Sequence, residues 1–327
     1  MMRKAIVLSA TFLLMTACGK TPASVNSTRV LMDHDAGAED LIAMTLVARS
    51  GMADAVTISP ADSFPDAAAA ATERALDAVG AAQVPVFAGS DAGANPFPDE
   101  WRKDAERSLS LWSLADVKPR AKQNGEDAPH ALVRLLSGSQ SFTILETGPL
   151  SNLAAALKID PSIAKHITRL FVMGGAVRVP GNVSRPGHDG TAEWNFFNAP
   201  AAVQVVFNAG VPITLIPLDV TNTMPLTMGF VEKVWAQRGS ASRLAGDAWM
   251  LGEGQIKDGT YFFWDTLTAA AMIDPSIVTT ETLRLRVVTS GASQGRVVED
   301  AAGAPVDVAV RVDRTRAEQL ILSLLLK

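Results

Sequence analysis

From residue 29 onward the chain reads as short apolar runs separated by amphipathic or alanine-rich stretches. "RVLMD" (29–33) predicts a strand and "EDLIAMTLVARS" a helix; "DAVTIS" (54–59) a strand, "PDAAAAATERALDAVG" a helix stopped at Gly80, and "VPVFAG" (84–89) a strand. Further on, "APHALVRLLSG" is a helix, "SFTILE" (141–146) a strand, "LSNLAAALKI" a helix, "ITRLFVMGG" a strand, "APAAVQVVFNAG" a helix and "VPITLIPLD" (211–219) a strand. Parallel neighbours need a crossover, so strands alternating with helices imply βαβ units. The expected fold class is therefore α/β, a single open and mainly parallel sheet flanked by helices. Near the C-terminus "LRLRVVTSGASQGRVVED" and "VDVAVRVD" predict a small antiparallel addition, followed by a last helix, "RAEQLILSLLLK". No internal repeat is present. Periodicity lapses over 92–128 and 178–198, and long insertions of this kind often carry function.

The unusual polar residues fall at the carboxyl ends of the predicted strands, where open α/β sheets bind ligands. Asp33 and Asp35 follow the first strand, Asp62 the second, Thr147 follows "FTILE", Met173 with two glycines ends another, and Asp219 ends "ITLIPLD". Several such residues at different strand ends point to one crevice. The densest group is "DHDAGAED", with Asp33, Asp35, Glu39 and Asp40 within eight positions. Glu39 and Asp40 alone could be explained as acids favouring a helix N-terminus. Asp33 and Asp35 are not, and clustered carboxylates with further oxygen donors suit a hard cation, Ca²⁺ or Mg²⁺. A soft or imidazole site is not indicated: His34, His130, His166 and His188 lack ligand spacing, and the sole cysteine is Cys18.

Composition narrows the class. Hydrophobic residues make up 48% of the 327 positions, which excludes a disordered chain. The net charge of −5 argues against binding nucleic acid through a basic surface. The first twenty residues stand apart: Arg3 and Lys4, an apolar run from Ala5 to Ala17, then Cys18. That run is short for a membrane span and suits a signal peptide. "LLMTAC" resembles a bacterial lipoprotein signal, with Met15 in place of the usual leucine. The expected organisation is a lipoprotein signal peptide over 1–17, a tether over 18–28 beginning with a lipidated Cys18, and one α/β domain over 29–327. Gly19 lacks the aspartate linked to inner-membrane retention, so the expected location is the periplasmic side of a bacterial outer membrane. The competing reading is a soluble secreted protein with an incidental cysteine.

"DHDAGAED" resembles the D-x-D-x-x-x-D-D motif of the nucleoside hydrolases, calcium-dependent enzymes that cleave ribonucleosides to base and ribose. "ETGPLSNLAAAL", "VMGGAVRVPGN", "AEWNFFNAPAA", "VPITLIPLDVT" and "FFWDTLTAAAMIDP" resemble that family's later motifs in order. Trp264 stands directly before Asp265, as in the purine-preferring, inosine-adenosine-guanosine type, and "PADSF", "ANPFPDEWR" and "AEWN" are similar to that type too. The resemblance implies a Rossmann-like nucleoside hydrolase fold, a Ca²⁺ cofactor and a purine ribonucleoside substrate used in salvage. It implies Asp35, Asp40 and Asp265 as side-chain ligands, with Thr147 ligating through its carbonyl. Asp35 would also be the general base, with Asp33 behind it. Trp101 and Trp264 would sandwich and activate the leaving purine. Glu39, Asp62, Met173, Asn182, Glu193, Trp194 and Asn195 would contact the substrate. His188 is a weaker candidate for a general acid. A homo-oligomer is allowed by the resemblance and no nucleic acid partner is expected.

Three departures from the family pattern bear on activity. Glu39 stands where the family has aspartate. Ala36 replaces a common proline, which should loosen the turn. No arginine precedes Trp264, leaving Gln255 or Lys257 as substitutes. Two further readings follow: a lipid-anchored nucleoside-binding protein with weak or no turnover, or a hydrolase of a pyrimidine or modified nucleoside.

Overall fold

The computed structural model describes residues 28–120 and 125–326. The expected signal segment, Cys18 and all but the end of the expected tether lie outside the described residues. One sheet organises the rest. Its strands are β1 (Val30–His34), β2 (Ala53–Ile58), β3 (Val86–Ala88), β4 (Phe142–Glu146), β5 (Ile167–Met173), β6 (Ile213–Ile216), β7 (Val278–Val287), β8 (Val297–Glu299) and β9 (Ala304–Val312). They lie in the order β3-β2-β1-β4-β5-β6-β9-β7-β8. Pairing is parallel from β3 through β9 and antiparallel from β9 through β7 to β8. β1 and β4 are buried at every position, as strands covered on both faces must be.

The helices are α1 (Ala38–Ser50), α2 (Pro65–Ala78), α3 (Asp104–Ser108), α4 (Ala128–Leu136), α5 (Ser151–Ile159), α6 (Trp194–Asn198) and α7 (Pro200–Phe207). They continue with α8 (Leu218–Thr221), α9 (Met228–Trp235), α10 (Ser240–Met250), α11 (Glu253–Lys257), α12 (Asp265–Ile273) and α13 (Arg314–Leu325). On one side Leu41, Leu76, Leu244, Trp249, Leu267 and Ile321 join α1, α2, α10, α12 and α13 into a single apolar layer. On the other, Leu132, Leu153 and Val203 carry α4, α5 and α7 onto Leu170 and Leu215 of the sheet. Each fully buried leucine contributes about 1.5–3 kcal/mol of transfer free energy, which must offset the entropy of ordering the chain.

The expected α/β class, mainly parallel sheet and antiparallel C-terminal strands are what is found, with two corrections to strand bounds. The antiparallel strands extend the same sheet, since β9 lies parallel beside β6, Thr214 opposite Asp307. β7 begins at Val278, ahead of the expected Leu283, because Thr279 to Thr282 are exposed and polar and give no apolar signal. β6 ends at Ile216 instead of Asp219, and Asp219 sits in α8. There its carboxylate accepts the N–H groups of Val177 and Arg178, each at 2.8 Å, pinning the loop after β5.

Candidate active site

The turn from β1 into α1 is the centre of the site. Asp33, one residue before the end of β1, lies opposite Glu146 of β4. Gly37 caps α1, and its N–H donates to Asp40 Oδ2 at 2.9 Å, while Asp40 Oδ1 accepts from the Thr147 hydroxyl. Gly148 permits the close approach: a Cβ there would stand 3.1 Å from the Asp35 nitrogen. Ala36, where the family pattern has proline, takes a conformation of its own. Ala36 is fully buried and left-handed, φ 65°, a conformation closed to proline, whose ring holds φ near −65°. Both the Ala36 N–H and its carbonyl are hydrogen-bonded, which holds the turn.

A cavity of about 540 Å³ opens above this turn, and every residue singled out from the sequence as a contact lines it. Asp35, Glu39 and Asp40 come from the β1–α1 turn and the first turn of α1, Asp62 from the loop after β2, Thr147 from just after β4 and Met173 from the end of β5. Trp101 comes from the insertion, Asn182, Glu193, Trp194 and Asn195 from the second non-periodic segment and α6, and Trp264 and Asp265 from the start of α12. Asp219, Lys257 and His188 stay outside it. Lys257 pairs with Glu253 at the surface, and His188 bonds the Gln294 carbonyl at 3.0 Å beside a separate shallow depression.

Acidic groups crowd the cavity without a matching number of cations; Arg107 is the one basic residue along its lining among the described residues. Burial, then the charge of Asp40, pushes the Asp35 and Asp265 carboxyls well above the usual range. Asp62, partly exposed at the wall, is raised by desolvation and then by Asp104. Burial lifts Glu39 to about 7 against the bonds it accepts from Thr266 and Trp249. Behind the cavity, burial lifts Asp33 to about 7 despite a 2.9 Å bond from Asn152, and lifts Glu146 well above its ordinary value. Such a group is stabilised by protons or by a cation.

The donors fit a hard cation. Asp35 Oδ2 is buried and has no hydrogen-bond partner, and Asp40, Asp265 and the Thr147 carbonyl add further oxygens at the same cavity. Among the described residues no three acidic or imidazole side chains form a finished metal cage, so the match lies in donor type and placement.

Other side chains have partners that sequence reasoning could not assign. Glu39 Oε2 accepts from Trp249 Nε1 at 2.9 Å and the Tyr261 hydroxyl at 3.4 Å, and Oε1 accepts from the Thr266 N–H at 3.3 Å. Its longer arm is thus held against α10 and the Tyr261 wall. Glu193 caps α6 through the N–H groups of Asn195 and Phe196 and also accepts from Gly175, so its carboxylate organises backbone. Asn195 Nδ2 donates to the carbonyls of Thr147 (2.9 Å) and Met173 (3.3 Å). Asn182 Oδ1 accepts from Trp194 N–H at 3.1 Å. Trp194 stacks on Phe97 at 5.0 Å and meets Trp101 edge-on at 5.1 Å, while Trp264 lies 5.0 Å from the Tyr261 ring.

Phe97, Asp104, Arg107 and Tyr261 also line the cavity and were not picked out from the sequence. Tyr261, three positions before Trp264, had a usable signal as the sole tyrosine of the chain. Asp104 and Arg107 had none, lying in a charged insertion without period. Glu146 was hidden inside an apolar run.

A family profile described as inosine-uridine preferring nucleoside hydrolase matches residues 30–319. Pyrimidine-specific ribonucleoside hydrolase RihB of Escherichia coli is 27% identical over 301 residues, covering 84% of this chain and 88% of that protein. Another E. coli RihB is 29% identical over 196 residues, an alignment that spans only 58% of that relative's length. The crystal structure of the inosine-uridine preferring nucleoside hydrolase from Bacillus anthracis superposes with a TM-score of 0.85 at 34% identity, covering 91% of this chain and 99% of that one. The purine-preferring ribonucleoside hydrolase from Gardnerella vaginalis shares the fold, with a TM-score of 0.76 at 24% identity over 91% of this chain and 98% of that one. The chain is therefore a member of the inosine-uridine preferring nucleoside hydrolase family.

Proposed function

We propose that this protein hydrolyses the N-glycosidic bond of ribonucleosides, purine ribonucleosides foremost, with Ca²⁺ as cofactor, and that it serves nucleoside salvage. One observation carries the reading: Asp35, Asp40 and Asp265 share a cavity with the two indoles Trp101 and Trp264. Bond cleavage leaves C1′ resembling an oxocarbenium ion, which carboxylates beside the sugar stabilise. A calcium ion held by Asp35, Asp40, Asp265 and the Thr147 carbonyl would lower the pKa of a water there. Asp35, through the unpartnered Oδ2, takes the proton of the attacking water. Asn182, with its oxygen already engaged by Trp194, has its amide nitrogen left for a sugar oxygen. The indoles of Trp101 and Trp264 favour an electron-poor, protonated base between aromatic faces.

The test is release of free base and ribose from inosine, adenosine, guanosine, uridine and cytidine by the purified protein with Ca²⁺, followed by chromatography. No release from any of them overturns the proposal. The RihB relatives favour a second reading, pyrimidine nucleosides, which faster release of uracil or cytosine would establish. Trp264→Ala is expected to remove stacking of about 1–3 kcal/mol, a loss of roughly five- to 150-fold in kcat/KM for inosine.

The Glu39 cradle bears on the idea of a binding protein that lost turnover through this substitution. Glu39→Asp shortens the arm and strands the buried Trp249 N–H, at a stability cost of about 1–3 kcal/mol. The expected result is a lower denaturation midpoint with no gain in turnover. A sharp gain would instead identify a binding protein.

We further infer that Cys18 is lipidated and holds the protein on the periplasmic side of the outer membrane. Cell fractionation decides: a Cys18→Ser protein that still sediments with membranes overturns that placement.

A further inference from the structure

The turn that carries Asp35 is held from behind by a chain of hydrogen bonds. Ala36, at φ 65°, occupies the left-handed region, which costs an alanine conformational energy. Its N–H donates to His34 Nδ1 at 3.1 Å, and its carbonyl accepts from the Ser63 hydroxyl at 3.1 Å. On the far side of the ring, His34 Nε2 lies 3.3 Å from Thr72 Oγ1. The Thr72 hydroxyl has one hydrogen, and it is donated to the Ala68 carbonyl at 2.8 Å. Toward the ring Thr72 can therefore only accept. The partners assign the hydrogen to Nε2 and leave the Nδ1 lone pair for Ala36. The other tautomer would set two N–H groups against each other. The His34 backbone is fixed as well, its carbonyl accepting from Ser59 N–H at 2.8 Å. His34, Ala36, Ser63 and Thr72 are all buried.

We propose that His34 is a positioning residue for Asp35, holding the Asp35–Ala36 peptide in the left-handed turn so that the Asp35 carboxylate stays beside Asp40. That peptide is the hinge on which the Asp35 side chain would otherwise swing. The role assigned to Asp35 rests on the function proposed above. A histidine that merely fills the core would need volume at this place and no acceptor at Nδ1.

Three variants of the full chain separate the two roles. His34→Asn keeps an acceptor for the N–H two residues on, as in an Asx turn. His34→Leu fills the space without an acceptor. His34→Leu with Ala36→Gly removes the acceptor and also the strain, since glycine takes φ 65° freely. Calcium affinity is read by calorimetry, kcat and KM with inosine, and folding by denaturant midpoint. In His34→Leu, calcium affinity and kcat are expected to fall by about 10- to 100-fold, the effect of losing a group that orients a ligand. His34→Asn stays within about threefold of wild type, the size of a conservative change that keeps one hydrogen bond. Ala36→Gly restores most of the loss. The proposal is overturned if His34→Leu lowers only the midpoint, if His34→Asn is as impaired as His34→Leu, or if the glycine rescues nothing. Wild-type protein that binds calcium but releases no base would remove the proposed function alone, and the affinities would still decide the role of His34.

Discussion

Asp35→Asn is expected to lower kcat by about 10³-fold or more, because it removes at once a general base, worth roughly 10²–10⁴, and a charged oxygen facing the sugar. Asparagine keeps the shape of the side chain, so the turn that holds it has no reason to move. Stability should respond in the opposite sense. Asp35 is buried among Asp40, Asp62 and Asp265, and deleting one negative charge relieves repulsion in the metal-free protein. The variant should therefore unfold at an equal or higher denaturant midpoint than metal-free wild type. Loss of function joined to gain of stability is the expected mark of a strained functional group. Activity within tenfold of wild type would remove Asp35 from the mechanism.

Removing divalent cations is expected to make stability fall as pH rises through neutrality. The sign follows from the direction of the shifts. Six buried carboxyls have folded values above their ordinary ones: Asp33 and Glu39 near 7, Asp35, Glu146 and Asp265 well above the usual range, and Glu193 raised by burial. Between the ordinary values, 3.8 and 4.5, and those raised ones, the folded state binds protons that the unfolded state has released. Their stabilisation is complete below pH about 4 and is lost as pH rises through 7. His34, whose burial lowers its value, works in the opposite sense, one group against six. Surface aspartates such as Asp189, drawn down to about 2 by hydrogen bonds from Ser293 and Thr191, titrate outside this window. The net loss from pH 5 to pH 8 should be of the order of a few kcal/mol. Calcium at a hundred times its Kd should return about 2.7 kcal/mol at pH 8 and much less at pH 5, where protons compete for the same oxygens. Thermal melts of chelator-treated protein across pH, with and without calcium, check this. A flat or rising metal-free profile would show that the carboxylates are not a destabilising cluster.

Much of this protein was legible along the chain, and the reason is local periodicity. Apolar runs such as "FTILE" and "ITRLFVM" announce buried parallel strands, and alanine-rich stretches announce the helices between them. Because the ends of successive parallel strands converge on one edge of a sheet, residues as distant as Asp35 and Thr147 could be assigned to one crevice before any coordinates, and the family resemblance of "FFWDTLTAAAMIDP" brought Asp265 to it. Where the local signal failed, it failed for physical causes. Polar Thr279 to Thr282 concealed the start of β7, since a strand exposed at the sheet's far side needs no apolar face there. Asp219 resembled the other strand-end acids, yet Pro217 ends the strand early and its carboxylate turns to backbone N–H groups.

By itself the sequence determined the α/β class, the strand-end crevice and the acidic turn, because each depends on residue type and on spacing over a few positions. The tertiary structure alone decided what those residues touch. Glu39 meets Trp249 across 210 positions of chain, Asp33 faces Glu146 only because β1 pairs with β4, and Ala36 is left-handed because His34, Ser63 and Thr72 converge behind it. Such contacts are set by how whole elements pack and by which buried donors and acceptors must find partners, and no short stretch of sequence contains that information.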